Sequence, residues 1–184
     1  MTERLRTQRL ILRPLRASDA GPISLYAGDA RVARMTTSIP HPYPPGAAEL
    51  FIQQSINPDG KDRHWAVDAT PIGGAEFVGV VGFHPGIGEV GYWIGPPFWN
   101  TGYVTEAVTA IVAHVFEAGL AESLVEQVFA DNPASARVLE KLGFHATGAG
   151  ESFSVARGEM VETRRFAVTR EEWMNHVAAA GIAG

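Results

Sequence analysis

The run from Glu89 to Ala107 constrains the fold more than any other. Glu89-Val-Gly-Tyr-Trp-Ile94 has the length and the aromatic and β-branched content of a strand, and Pro96-Pro97 ends it abruptly. Val104, Ala107, Val108, Ile111, Val112 and Val115 then recur at helical spacing, and Gly119 supplies a stop. A strand thus runs through a short loop into an apolar-faced helix. The unpaired N–H groups of a helix start carry partial positive charge, so a phosphate or pyrophosphate suits such a junction. Gly102 lets the main chain approach a ligand closely, and Thr101 and Thr105 offer hydroxyl donors. No Gly-Lys-Ser/Thr follows, and no three-glycine fingerprint is present, which excludes the nucleotide-triphosphate loop and the dinucleotide motif.

The remaining chain alternates between both periods. Arg9-Leu-Ile-Leu-Arg13 reads as a strand ended by Pro14, and Ser18 as the N-cap of a helix reaching about Tyr26. Thr36 to Pro45 holds prolines at 40, 42, 44 and 45, too dense for regular structure. Ala47 to Ile56 reads as a helix. His64 to Ala69, Phe77 to Phe83 and Glu89 to Ile94 read as strands joined by turn-rich segments, hence two antiparallel hairpins. Ser123 to Ala130 is a further strand. Asn132 caps the next helix, with Pro133 at its first position and Gly143 past its end. Phe144 to Ala149 and Met160 to Val168 are the last strands, and Thr169-Arg-Glu-Glu172 is a capping box opening a final helix. Hairpins first and crossover helices second predict one α+β domain over residues 1–184, with a mixed, mostly antiparallel sheet of six to seven strands flanked by helices.

Composition excludes several function classes. A net charge of −5 opposes binding to a nucleic-acid backbone. The chain has no cysteine, which removes disulfides, thiolate metal sites and a cysteine nucleophile and fits a reducing cytoplasm. Val104 to Phe116 is too short and too polar to span a bilayer, so no membrane association is expected. His41, His64, His84, His114, His145 and His176 lack ligand spacing, so no metal is expected, and His84 reads as a turn-side residue.

A second segment names a family. Asn132-Pro-Ala-Ser-Ala-Arg-Val-Leu-Glu-Lys-Leu-Gly-Phe144, taken with Thr7-Gln-Arg-Leu-Ile-Leu-Arg-Pro14, Pro40 to Pro45, Gly91 to Gly95 and Trp99 to Ala107, resembles the GNAT (Gcn5-related N-acetyltransferase) superfamily. The branch it is most similar to acetylates ribosomal-protein N-termini. The resemblance implies acetyl-CoA as co-substrate, with its pyrophosphate on the loop matching Trp99 to Thr105: Asn100, Thr101, Gly102, Tyr103, Val104 and Thr105. It implies a pantetheine arm paired with the end of the strand at Trp93, Ile94 and Gly95. The thioester would lie where that strand, fourth in the expected order, splays from the fifth. Asn132 would touch the pantetheine and Ser135 would sit near the sulfur. The loop departs from the family at Trp99 and Val104, and Asn100-Thr101 replaces a common Gly-Lys, removing a basic residue.

Acetyl transfer needs a neutral amine, a polarised carbonyl and a stabilised thiolate. A main-chain N–H at Ile94 or Gly95 is the candidate for the carbonyl, and Ser135 for the thiolate. Tyr103 is a weaker candidate. Ser135 has an alternative use in completing the helix cap. Glu89 is the candidate base, acting through a water, or else attracts a cationic substrate. Glu106 suits the helix dipole without a further role. Arg137 and Lys141 can reach CoA phosphates or face solvent, and Trp93 and Trp99 read as packing. Tyr43 and His41 carry the recognition chemistry of the proline-rich segment, which is expected to wall the acceptor side. The acceptor is an amine: a peptide N-terminus, an aminoglycoside, a polyamine or an amino-acid-like metabolite. The alternative is a non-catalytic acyl-CoA-binding module. Either a monomer or a homodimer is compatible with the chain.

Overall fold

Eight strands form one sheet, in the order β1-β2-β3-β4-β5-β6-β8-β7. The computed structural model describes residues 3–57 and 59–180. The strands are β1 (Leu5–Arg6), β2 (Ile11–Pro14), β3 (Arg63–Asp68), β4 (Gly79–His84), β5 (Glu89–Ile94), β6 (Ser123–Phe129), β7 (His145–Ser154) and β8 (Glu159–Thr169). The helices are α1 (Ala20–Ala27), α2 (Ala30–Ala33), α3 (Ala47–Ile56), α4 (Tyr103–Glu117), α5 (Pro133–Lys141) and α6 (Arg170–Ala180). The expected α+β architecture holds. Eight strands replace the expected six to seven because the two-residue β1 adds an edge that has no pattern of its own in the sequence.

Every pairing is antiparallel except that of β5 with β6. The α4 crossover causes that exception, since a helix between two strands returns the chain in the same direction. Strand alternation divides the core. Trp65, Val67, Val81, Phe83, Val90 and Ile94 pack with α4 and α5 on one face, whereas Ala66, Val80 and Trp93 pack with α1 and α3 on the other.

Ser18 is not a helix cap. A short 3-10 turn, Ala17–Asp19, precedes α1, and the Asp19 carboxylate accepts the Arg16 N–H at 2.9 Å. Asp19 is buried because Arg13 grips it through both terminal nitrogens at 2.8 Å and also reaches Asp68 Oδ2 at 3.2 Å. This paired charge ties β2, the start of α1 and β3 together. Removing one partner would strand a buried charge. At the far end, the Thr169–Glu172 capping box forms as expected, with the Thr169 N–H and hydroxyl both donating to Glu172 Oε2 at 2.8 Å. Among the described residues no helix is long and apolar enough to cross a membrane.

Candidate active site

β5 and β6 pair at one register position, Glu89 with Val125, and then separate. A cleft of about 1400 Å³ opens between them. Val125 N–H donates to Gly88 O at 2.9 Å, and Gly95 N–H donates to Val78 O at 2.8 Å. Ladder alternation therefore turns the main-chain groups of Tyr92 and Ile94 into the gap and those of Trp93 and Gly95 towards β4. Of the two carbonyl-polarising candidates, Gly95 already has its N–H engaged, which leaves Ile94. The Trp99 indole donates to Ile94 O at 2.7 Å, so Trp99 does more than pack. Gly95 lies under the Tyr26 ring, and a Cβ there would come within 2.8 Å of it.

The loop into α4 forms a cradle. Asn100 and Gly102 both adopt left-handed backbone, with φ of 61° and 81°. Asn tolerates this conformation better than most residues, and Gly adopts it freely. Among the described residues no acceptor meets the N–H groups of Val104 and Thr105, and the helix cap at Gly102 has no side-chain bond. A concave turn with two unengaged first-turn donors fits a pyrophosphate. Thr101 does not contribute its hydroxyl: it donates to Phe98 O at 2.7 Å and accepts the Tyr103 N–H at 3.3 Å.

A cation does reach this loop, from far away in sequence. Arg9 Nη1 donates to Thr101 O at 2.9 Å, its carbon lies 5.1 Å from the Tyr103 ring centroid, and Nη2 would be 3.2 Å from a Cβ on Gly102. Arg9 is anchored by Glu106, with Nε–Oε2 at 2.6 Å. Thr7 Oγ1 and Arg9 N–H also donate to Glu106 Oε1, at 2.6 and 2.7 Å. Burial alone would raise the Glu106 carboxyl, but these bonds outweigh it and hold the group below its ordinary range. Glu106 thus fastens the loop to the start of β2, which corrects the reading of a plain dipole partner. Arg137 and Lys141 of α5 also line the cleft.

At the mouth of α5, Asn132 Oδ1 accepts the Ser135 N–H at 3.2 Å. The capping role therefore belongs to Asn132, and the Ser135 hydroxyl is free for other use. It lies 2.7 Å from the Tyr92 hydroxyl, which also donates to Ser135 O at 3.3 Å. Burial first, and the neighbouring Glu126 second, push the Tyr92 hydroxyl above its ordinary range, so it keeps its proton. Tyr92 was not singled out from sequence. Its signal was its place two residues before the strand end, on the parity of Val90 and Ile94.

Glu126 was also missed. It lies on β6 between the core residues Leu124 and Val128 and lines the cleft, and its Oε2 is buried without a hydrogen-bond partner. Burial, then the charge of Glu89, raises this carboxyl well above the ordinary range. Glu89 itself lines the cleft at the apex where the strands meet and has no ion-pair partner among the described residues.

On the α1–α3 face, His84 stands opposite Glu89 in the β4–β5 register, and Gly82 stands opposite Gly91. The His64 and His84 rings meet edge to face at 5.5 Å. Ser55 Oγ lies 3.1 Å from His64 Nδ1, and Asp62 Oδ1 lies 3.1 Å from His84 Nδ1. Burial lowers His64 to about 4, with the nearby His84 adding to the effect. The proline-rich segment supplies Ile39, Pro40 and Tyr43 to the cleft, while His41 turns its Nδ1 to Gly28 O at 3.1 Å. The β7–β8 tip locks this wall: Arg157 pairs with Asp131 at 2.7 Å and donates to Arg34 O at 2.8 Å, and Val155 N–H donates to Thr37 O at 3.0 Å. Among the described residues no cluster of three or more His, Cys, Asp or Glu could hold a metal ion.

Comparison with known proteins places this geometry. The family described as "Acetyltransferase (GNAT) domain" matches residues 9–145. The uncharacterized N-acetyltransferase YoaA of Bacillus subtilis is 27% identical over 173 residues, covering 90% of this chain and 96% of that protein. A spermidine N-acetyltransferase from Vibrio cholerae, solved with CoA and spermine, shares the fold at TM-score 0.76 and 17% identity, over 92% of this chain and all of that one (100%). The ribosomal L7/L12 alpha-N-protein acetyltransferase RimL, solved with CoA, does so at TM-score 0.78 and 18% identity, over 91% of this chain and 98% of that one. The chain belongs to the GNAT acetyltransferase family, and acetyl-CoA is its acyl donor.

Proposed function

We propose that the protein transfers the acetyl group to a primary amine by direct attack, with donor and acceptor held in the cleft together. One observation carries this reading: the gap between β5 and β6 has unengaged helix-start donors and the Tyr92–Ser135 pair on one face, and a carboxylate-bearing recess on the other. Acetyl-CoA supplies an activated acyl carbon whose bond to sulfur breaks as the amine nitrogen bonds to it.

The chain's own groups divide the work. The N–H groups of Val104 and Thr105, in the cradle shaped by Asn100, Gly102 and Tyr103, bind the pyrophosphate. Tyr92 main-chain groups pair with the pantetheine arm, flanked by Trp93 and Gly95, and the Asn132 amide nitrogen bonds its carbonyl side. The Ile94 N–H polarises the acyl carbonyl. Ser135 donates a hydrogen bond to the departing thiolate, held in place by Tyr92. Glu89 draws the cationic form of the amine to the apex of the gap, which suits its open carboxylate better than the role of base. The acceptor is a peptide N-terminus or a small amine, and a cysteine-free chain that draws on acyl-CoA fits the cytoplasm.

Release of free thiol from acetyl-CoA, measured across spermidine, free amino acids and short peptides, tests the reading. At least one amine should give turnover. Tight CoA binding without thiol release on any amine would indicate a binding module instead. Gly102→Asp should weaken CoA binding by at least about 100-fold, because it puts a carboxylate in the cradle at a φ that disfavours side chains.

A further inference from the structure

Resting on the reading above, we propose that His84, oriented by Asp62, is the proton acceptor for the attacking amine. The evidence is geometric. Asp62 Oδ1 lies 3.1 Å from His84 Nδ1, which fixes that nitrogen as the N–H bearer and leaves Nε2 as the free acceptor. His84 lines the cleft beside Gly91, and a Cβ built on Gly91 would lie 3.9 Å from Nε2. Gly91 is directly adjacent to Tyr92, whose hydroxyl holds Ser135 on the opposite face of the sheet. His84, Gly91, Tyr92 and Ser135 all line the one cleft, so an amine bound over Gly91 has Nε2 on one side and the Tyr92–Ser135 pair on the other.

The surroundings support one acceptor rather than two. Three titratable groups face His84: Asp62 from the α3–β3 connection, His64 from β3 and Glu89 from β5. His64 is the more buried histidine, and its Nδ1 is engaged by Ser55, so it acts as a neutral wall that keeps the His84 ring upright. The His84 side chain retains 29% of its exposure, enough to return a proton to solvent. Gly91 carries no side chain over this floor, and a Cβ there would meet nothing nearer than His84 Nε2 at 3.9 Å, whereas the space over its partner Gly82 is filled by the His64 ring.

The step balances. The nitrogen lone pair forms the bond to the acyl carbon, and the carbon–sulfur bond breaks with its electrons remaining on sulfur. Drawn in as a cation, the amine sheds two protons: the first passes to Nε2 and then to solvent, which frees the lone pair, and the second is taken up by the thiolate, which leaves as the thiol from its hydrogen bond to Ser135. Asp62 touches none of these atoms and is a positioning residue.

The test is the pH dependence of kcat/KM on whichever amine the wild-type enzyme turns over best. His84→Gln should lower kcat by about 100-fold or more, with CoA binding within about threefold of wild type, and should abolish the acidic limb of the profile. Asp62→Asn should lower kcat by about tenfold. KM for the amine and CoA affinity should stay within about threefold of wild type, a split that mere loosening of the loop would not produce. A His84→Gln variant that keeps the wild-type limb overturns the proposal while leaving acetyl transfer intact. Absence of turnover by the wild-type enzyme on every amine overturns the functional reading beneath it, and this proposal with it.

Discussion

The two faces of the β5–β6 gap are built in opposite ways. The donor face comes mainly from two contiguous stretches, Trp99 to Thr105 and Asn132 to Ser135, each of which is a helix start, with Tyr92 of β5 bonded to the second. The acceptor face is assembled from separate pieces: His64 of β3, His84 of β4, Glu89 of β5, Asp62 of the connection after α3 and Tyr43 of the proline-rich segment. The lesson concerns what each ligand demands. A pyrophosphate needs main-chain donors, which one local turn can supply. A variable amine needs side chains of chosen chemistry, which a sheet can bring together from separate strands without altering the donor site.

Around Ser135, changes on the donor face should act on the chemical step as a unit. Ser135→Ala is expected to lower kcat by about 10- to 100-fold, the cost of one hydrogen bond to a charged group, with little effect on CoA affinity. Tyr92→Phe should do much the same, because its hydroxyl sits 2.7 Å from Ser135 Oγ. The double variant should be only slightly worse than either single one, as befits residues acting through one contact. Full multiplicative loss in the double variant would show that the two hydroxyls act independently. An unchanged kcat for Ser135→Ala would remove the thiolate role from this face.

Apart from His84 and Asp62, the acceptor face should respond in binding rather than chemistry, and more mildly. Gly91→Ala places a methyl group on the floor of the recess at ordinary contact distance from His84 Nε2, and the backbone at Gly91 does not need glycine's conformational freedom. Stability should hold or rise slightly, since alanine has less freedom to lose on folding. KM for the amine should rise by about tenfold, while CoA affinity stays the same. Gly82→Ala is the harsher probe, because its Cβ would come within 2.8 Å of the His64 ring and force it to move. Equal loss of CoA and amine binding in Gly91→Ala would mean that the faces are not separable.

Sequence legibility follows the same division. Asn132 was readable as a cap because side-chain capping, proline at the first helical position and a following glycine are local chemistry. The α3 limits, Ala47–Ile56, and those of β5, Glu89–Ile94, were readable from pattern for the same reason. His84 was not, because it reads as turn-side until the β4–β5 register sets it opposite Glu89 and a separate loop brings Asp62 to it. Arg9 and Glu106 lie 97 residues apart, and no spacing rule joins them. Ser18 failed as a cap for a related reason: Arg13, from the preceding strand, claimed the neighbouring Asp19. Burial is equally silent in a sequence, which is why Glu126 looked like an ordinary strand glutamate.

Glu126 gives the smallest effect and the most direct view of how the two faces are coupled. Its carboxyl lies behind the donor face, with one oxygen unpartnered, and is raised by burial and then by Glu89 on the acceptor face. Its folded value thus lies above its unfolded one. The native state binds more protons than the unfolded chain once the pH exceeds the ordinary carboxylate range, so stability falls as pH rises from there towards the folded value. Glu126→Gln removes that titration. Its melting temperature should exceed that of the wild type by a margin that is least in acid and widens as pH rises. Glu89→Gln should narrow the margin, since it removes the smaller of the two causes. A margin constant across pH would mean that Glu126 is solvated in the folded protein and that the two faces do not share a field.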